Sequence, residues 1–282
     1  MKIFNDCLPC LMRQALEASR MASDNETLQQ EIQKECATLI SHFTNFENSP
    51  DLAYSIHEIV KKHTKNLDPY SDIKKRDIEN ALALYPYLKK VLKESNNSLY
   101  LALKISAIGN IMDSAIFQDL NVKACLEDQL KMDFTICDIE LFTKDLELTK
   151  TILFLGDNAG ETVFDRVLIE SLPKGIKIIY AVRQNPIIND AVISDAIDSG
   201  LNESTTIIPS GCSAPGTILS KCSKEFLKVF NSADIVISKG QGNYEALADY
   251  NRKIYFLLKA KCNMIAQRFD VPVMSYIFKL DK

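Results

Sequence analysis

From Lys150 onward short apolar runs alternate with amphipathic stretches, and this is the strongest constraint on what the chain can fold into. Ile152–Leu155, Ile176–Val182, Thr205–Ile208, Ile235–Ser238, Ile254–Leu258 and Val271–Met274 read as strands. They are short, rich in β-branched and aromatic residues, and bounded by glycine, proline or polar residues. The stretches 161–171, 188–198, 222–231, 243–249 and 262–268 read as the helices or turns between them. Continuous apolar runs mark strands buried on both faces. The pattern therefore predicts βαβ units and a mainly parallel sheet covered by helices.

The first half has a different texture. Leu8, Leu11, Met12, Ala15 and Leu16 recur at helical spacing, as do Leu28, Ile32, Cys36, Leu39 and Phe43. Asn48-Ser49-Pro50-Asp51 signals a capped helix start before Ala53, Ile56, Ile59 and Val60. Ile73–Leu92 keeps the helical period despite Pro86, and Leu99–Asp113 reads as one apolar helix. Lys123 to about Phe142 has no clear period. The composition shifts between residues 95 and 150, which predicts a helical domain over 1–95 and an α/β domain over 96–282.

Composition narrows the function classes. With 33 basic against 37 acidic residues, the net charge of −4 provides no field to gather nucleic acid. No apolar run is long enough to span a bilayer, and Asp6 and Pro9 interrupt any signal-peptide core. Eight cysteines without an export signal read as reduced thiols or ligands, which points to the cytoplasm.

The chemistry-bearing residues sit where strands end. Ile152–Leu155 runs into Gly156-Asp157-Asn158-Ala159-Gly160-Glu161, placing a carboxylate and an amide beyond a strand's carboxyl end, where open α/β sheets bind ligands. The second strand runs into Arg183-Gln184-Asn185-Pro186, and Asn189-Asp190 opens the next helix. Asp157, Asn158 and Asp190 together offer hard oxygen donors suited to magnesium or manganese, and cobalt or nickel can substitute. Each also reads as a helix N-cap. Ile235–Ser238 runs into Lys239-Gly240-Gln241-Gly242-Asn243, where a lysine and glycines before a helix favour an anion, phosphate above all. Asn110 and Asp113 share one face of an otherwise apolar helix, so they either find buried partners or face a site. Pro209–Gly216 is a further candidate wall.

Cys7-Leu8-Pro9-Cys10 has the spacing of a metal or redox pair, and equally of small buried hydrophobes. No second such pair follows, so spacing does not support a structural zinc site. Cys262 reaches these thiols only if the helical half folds over the sheet edge. His42, His57 and His63 all lie in the helical half, leaving no histidine base beside the carboxylates.

Six motifs in register resemble the damage-control phosphatase family, in its compact prokaryotic branch with an N-terminal Cys-x-x-Cys. They are Asp6–Cys10, Gly109–Asp113, Gly156–Glu161, Arg183–Pro186 with Asn189-Asp190, Lys239–Asn243 and Lys259–Cys262. Asn263 stands where the family pattern suggests proline. The resemblance implies a helical N-terminal domain packed on a three-layer α/β/α sandwich with a mainly parallel sheet. It also implies a divalent metal on Asp157, Asn158 and Asp190, and hydrolysis of phosphomonoesters of small metabolites, such as sugar phosphates and damaged or side-product phosphometabolites. Lys239 would hold the phosphate. Glu161, Arg183, Asn110, Asp113 and Gly240 would line the pocket, with Asp157, Asp190 and Lys239 carrying the chemistry. A carboxyl methyltransferase using S-adenosylmethionine, and a non-catalytic module binding a phosphometabolite or sensing redox state, are the alternatives. Adenosylmethionine binding separates the first of these, and ligand binding without turnover the second. Oligomeric state is not encoded in any of these patterns.

Overall fold

The computed structural model describes residues 1–109 and 122–281. Helices α1 (Cys7–Ala22), α2 (Glu26–Ile40) and α3 (Ser49–Thr64) pack into a core of their own through Leu11, Ala15, Ile32, Cys36, Leu52 and Ile56. Side-chain caps set two of these starts. Asn25 accepts the Leu28 amide at 3.1 Å, and Asn48 accepts that of Asp51 at 3.1 Å with Pro50 in the first turn. Each cap stabilises its helix by about 1 kcal/mol. Helix α4 (Ser71–Lys93) keeps Pro86 inside it, as the period predicts. It packs on the sheet's own helical layer rather than joining the α1–α3 core.

After α5 (Ser98–Ile108) and α6 (Val122–Lys131) come β1 (Phe134–Cys137), α7 (Ile139–Leu146), β2 (Thr151–Leu155), α8 (Glu161–Ile169), β3 (Lys177–Val182) and α9 (Ile193–Asp198). The chain continues through β4 (Thr206–Pro209), α10 (Lys224–Ser232), β5 (Ile235–Lys239), α11 (Gln241–Leu247), β6 (Ile254–Lys259), α12 (Asn263–Phe269) and β7 (Tyr276–Asp281). The seven strands form one sheet in the order β1-β7-β6-β5-β2-β3-β4. Strands β2 to β6 are mutually parallel; β7 runs antiparallel to β6, and β1 follows β7.

Alternate residues of the central strands feed opposite layers, as a pleated strand requires. Ile152, Phe154, Tyr180 and Ile237 pack with α4, α5, α7 and α8. Leu153, Leu155, Ile179 and Val236 pack with α10, α11 and α12. Removing a side chain as completely buried as Phe154 should cost about 3–5 kcal/mol. On the second face α11 also leans on α3, which joins the helical half to the sheet.

Three expectations are corrected. The last strand is Tyr276–Asp281, not Val271–Met274, because Met274 takes a left-handed φ of 72° that turns the chain before the strand begins. Phe134–Cys137, in the stretch without a clear period, is a four-residue edge strand. Residues 188–192 do not open a helix; α9 starts only at Ile193, and Asp190 lies in an isolated bridge.

Candidate functional site

The direction of chain progression reverses between β2 and β5. From β2 the sheet grows through β3 and β4 on one side and through β5 and β6 on the other. The crevice at this reversal is where α/β sheets hold ligands. Asp157 follows β2 there, and Lys239-Gly240 ends β5 there.

The loops after β2 and β3 are cross-linked by their backbones. The Ala159 amide donates to the Asn189 carbonyl at 2.8 Å, the Ala191 amide to that of Asp157 at 2.8 Å, and the Arg183 amide to that of Ala191 at 2.9 Å. Asn158 and Asp190 thereby form an isolated antiparallel bridge. The three donors expected to share a site are thus brought together. Asn158 and Asp190 are 7% and 3% exposed, and the Asp157 side chain 12%. Asn158 Nδ2 donates to Glu161 Oε1 at 3.1 Å, which directs its carbonyl oxygen to the opposite side.

Arg183 stands behind these carboxylates rather than on a pocket wall. It is 2% exposed; Nε donates to Asp190 Oδ2 at 2.6 Å, and Nη2 lies 3.7 Å from Asp157 Oδ1. Nη1 donates to Thr217 Oγ1 at 3.2 Å and to Asn243 Oδ1 at 3.0 Å. Asn243 is fully buried, and its oxygen also accepts the Thr217 amide and hydroxyl, each at 2.8 Å. Its nitrogen donates to the carbonyls of Gly156 at 3.0 Å and Lys239 at 2.7 Å. One amide therefore ties the ends of β2 and β5 to the loop before Thr217 and to Arg183. Neither Thr217 nor Asn243 stood out as a site residue in the sequence.

Lys239 is equally interior. At 1% exposure it donates to Glu161 Oε2 at 3.2 Å, to Asp165 Oδ1, and to the Ser106 carbonyl at 3.1 Å. Burial opposes its charge, but Asp165 and Glu161 outweigh that and hold its pKa above the ordinary value. Asp165, completely buried, also accepts from the hydroxyls of Ser106 and Tyr180 at 2.5 and 2.7 Å. Sequence reasoning passed over it. The available signal was a second acid one helical turn after Glu161 on an otherwise apolar face.

Gly240 is required by close approach. Its φ is 76°, and a Cβ there would lie 1.9 Å from Asp157 Oδ2. Gly156 is constrained likewise, by the Tyr180 ring at 2.6 Å from where its Cβ would stand. Asn110 and Asp113 lie outside the described residues. Gly109, just before them, packs beside Glu161 and Phe164 of α8.

Among the described residues no three His, Cys, Asp or Glu side chains are arranged as a ready-made metal site. The candidate set is leaner, two carboxylates and an amide oxygen, and its chemistry fits a hard divalent cation that retains waters. Charge agrees with that fit. Among the described residues, four carboxylates, Asp157, Glu161, Asp165 and Asp190, share this site with two interior cations, Arg183 and Lys239. Burial first, then Asp190 and Glu161, push the Asp157 carboxyl well above its usual range, against Arg183 and Lys261.

The helical half packs against the sheet's second helical layer: the Met1 amino group donates to the Glu245 carbonyl of α11 at 2.7 Å. Cys7, Cys10 and Cys262 come into one another's field, and burial raises the Cys10 thiol. His57 and His63 keep to the helical half: His63 pairs with Glu35 at 2.6 Å, and His57 is buried on α3. A cavity of about 640 Å³ lies at the other end of the strands, between Thr149 before β2 and Gly175-Ile176 before β3.

The fold and this acidic cluster define an α/β protein whose strand-end acids gather at the topological reversal. The family model of the damage-control phosphatase ARMT1-like domain matches residues 3–277, and the chain belongs to that family. A damage-control phosphatase of Pyrococcus horikoshii is 32% identical over 96% of each chain, and one of Archaeoglobus fulgidus 31% identical over 99% of each. An uncharacterized protein of Methanocaldococcus jannaschii is 36% identical over 96% of this chain and 93% of its own. The crystal structure of a DUF89 family protein from Pyrococcus horikoshii superposes with a TM-score of 0.91 at 29% identity, covering both chains completely. Among the described residues no helix is long and apolar enough to cross a membrane.

Proposed function

We propose that this protein is a metal-dependent phosphatase that hydrolyses phosphomonoesters of small metabolites, sugar phosphates or damaged and side-product phosphometabolites, in the cytoplasm. The activity of the two phosphatase relatives supports the phosphatase part. The observation that carries the metal is the backbone bridge that sets the carboxylates of Asp157 and Asp190 beside the amide of Asn158 at the strand ends. Asp157, Asn158 and Asp190 hold a divalent cation, magnesium or manganese, with cobalt or nickel able to substitute. That cation supplies charge neutralisation and polarisation of a phosphoryl oxygen.

The chain's own residues do the rest. Arg183 fixes Asp190 through Nε and keeps Asp157 beside it, so both carboxylates are placed before substrate arrives. Glu161 fixes the rotamer of Asn158. Asp190 or Asp113 takes the proton of the attacking water. Lys239 answers the phosphate's charge. Its contacts make that role conditional on exchange, since its protons are engaged by Glu161, Asp165 and Ser106, and Glu161 is the longest of these contacts. Asn110 and Asp113 complete the substrate wall.

The test is phosphate release from an aryl phosphate and a panel of sugar phosphates, using protein stripped with chelator and resupplied with one metal at a time. Release should require metal and vanish in Asp157→Ala while circular dichroism stays native. An active Asp157→Ala protein would sink the assignment.

A further inference from the structure

We propose that Cys212 and Cys222 form a redox-active dithiol which a small hydroperoxide oxidises to a disulfide, and that the oxidised form disables the site beside it. The second clause rests on the phosphatase reading; the first does not.

The two thiols share a small apolar cluster with Ala214, Ile218 and Tyr54. Their backbones run side by side. The Ser223 amide donates to the Ser210 carbonyl at 3.0 Å, and a Cβ on Gly211 would stand 2.4 Å from the Ser223 nitrogen. Joining the sulfurs therefore needs little movement of the chain. Cys212 is buried and Cys222 half-buried, so oxidant approaches from the Cys222 side.

Reactivity is asymmetric within the pair. The hydrogen bond from Cys222 lowers the Cys212 thiol to about 6, helped by the amides of Ala214 and Ile218 and by Arg183, against burial. Cys222 is shifted upward by the same bond. One sulfur is thus the thiolate and the other the proton-bearing partner. Cys212 thiolate attacks the terminal hydroperoxide oxygen, the O–O bond breaks, and the departing alkoxide takes a proton as alcohol. The Cys222 sulfur, losing its proton, then attacks the Cys212 sulfenic acid and expels hydroxide, which leaves as water. Two thiols and one hydroperoxide become one disulfide, one alcohol and one water.

The thiols also hold something. Cys222 donates to the Ile218 carbonyl at 3.3 Å, and the Cys212 sulfur lies 3.5 Å from the Gly216 carbonyl oxygen, on either side of Thr217. Thr217 is the residue that Asn243 and Arg183 grip. A disulfide has no S–H to donate, so oxidation removes the Cys222 bond beside Thr217 and loosens the clamp behind Asp190.

Trypsin cutting after Lys221 separates the two cysteines, so a non-reducing digest of the full-length protein after hydrogen peroxide reads the bond directly. Mass spectrometry should find peptide 184–221 joined to 222–224, and dithiothreitol should release it. Manganese-supported phosphate release should fall at least tenfold on oxidation and recover with dithiothreitol. It should do the same in Cys7→Ser/Cys10→Ser, but not in Cys222→Ser or, should that variant not fold, Cys222→Ala. Absence of the cross-linked peptide overturns the dithiol. A formed disulfide with undiminished turnover, or an equal loss in the Cys222 variants, overturns the coupling. A cross-link in protein that hydrolyses no phosphomonoester with any metal sustains the dithiol and refutes the phosphatase reading instead.

Discussion

Replacing Gly240 with alanine adds one methyl group where the geometry leaves no room for it. The new Cβ would stand 1.9 Å from Asp157 Oδ2, at a φ of 76°. To reach ordinary contact distance the carboxylate must retreat by about 1.5 Å, about three times the roughly 0.5 Å tolerance of a functional constellation. Its neighbours limit the retreat, because the Asp157 carbonyl is tied to the Ala191 amide at 2.8 Å and Arg183 stands 3.7 Å from Oδ1. The backbone conformation alone adds about 1–3 kcal/mol for a residue with a side chain. Gly240→Ala should therefore lose about 10²-fold in kcat/KM. It should need more metal for half-maximal activity and unfold at lower urea. Phosphate release across a manganese titration, with urea unfolding in parallel, measures all three. Wild-type turnover and metal demand in a folded Gly240→Ala protein would refute the placement of Asp157 against β5.

Lys239→Met leaves the carboxylates of Glu161 and Asp165 interior without their cation, and should destabilise the fold by about 3–5 kcal/mol in urea unfolding. Asn243→Ala strips partners from the Thr217 amide, Arg183 and two strand-end carbonyls, and should lower both stability and turnover, while a surface change such as Lys228→Ala moves neither. His57 is buried, and burial, with Lys61, depresses its pKa to about 3. The unfolded chain binds a proton near pH 6.5 that the folded one refuses, so stability is complete above pH 6.5 and falls as pH drops toward 3. Between pH 6.5 and 5 the loss should be about 2 kcal/mol, measured by urea unfolding at each pH, and the slope should shrink in His57→Leu.

The central strands were legible because burial on both faces leaves an uninterrupted apolar signature, as in Ile152–Leu155 and Ile254–Leu258. The edge was not. Phe134–Cys137 is short and only partly buried, and Tyr276–Asp281 follows a turn at Met274 whose backbone no residue type announces. In the site, Asp157, Asn158 and Asp190 were readable as strand-end oxygen donors. Their meeting depends on backbone pairing between two loops, which leaves no mark in side-chain pattern. Lys239 and Arg183 have the residue types of phosphate contacts, yet both point into the protein, because acids at Asp165 and Asp190 draw them inward. An interior ion pair is specified by two distant positions at once, so neither position reveals it alone.

The bridge between Asn158 and Asp190 bears on how fast the site can come apart. Its donors belong to two different βα units, but the Ala159–Asn189 and Asp157–Ala191 links make them one mechanical piece. Opening that piece means breaking several backbone hydrogen bonds together, so release of anything held by all three side chains should keep time with local unfolding. The amide protons of Ala159 and Ala191 are its clock: their hydrogen exchange and the off-rate of a bound ion should slow and quicken in step from one variant to the next.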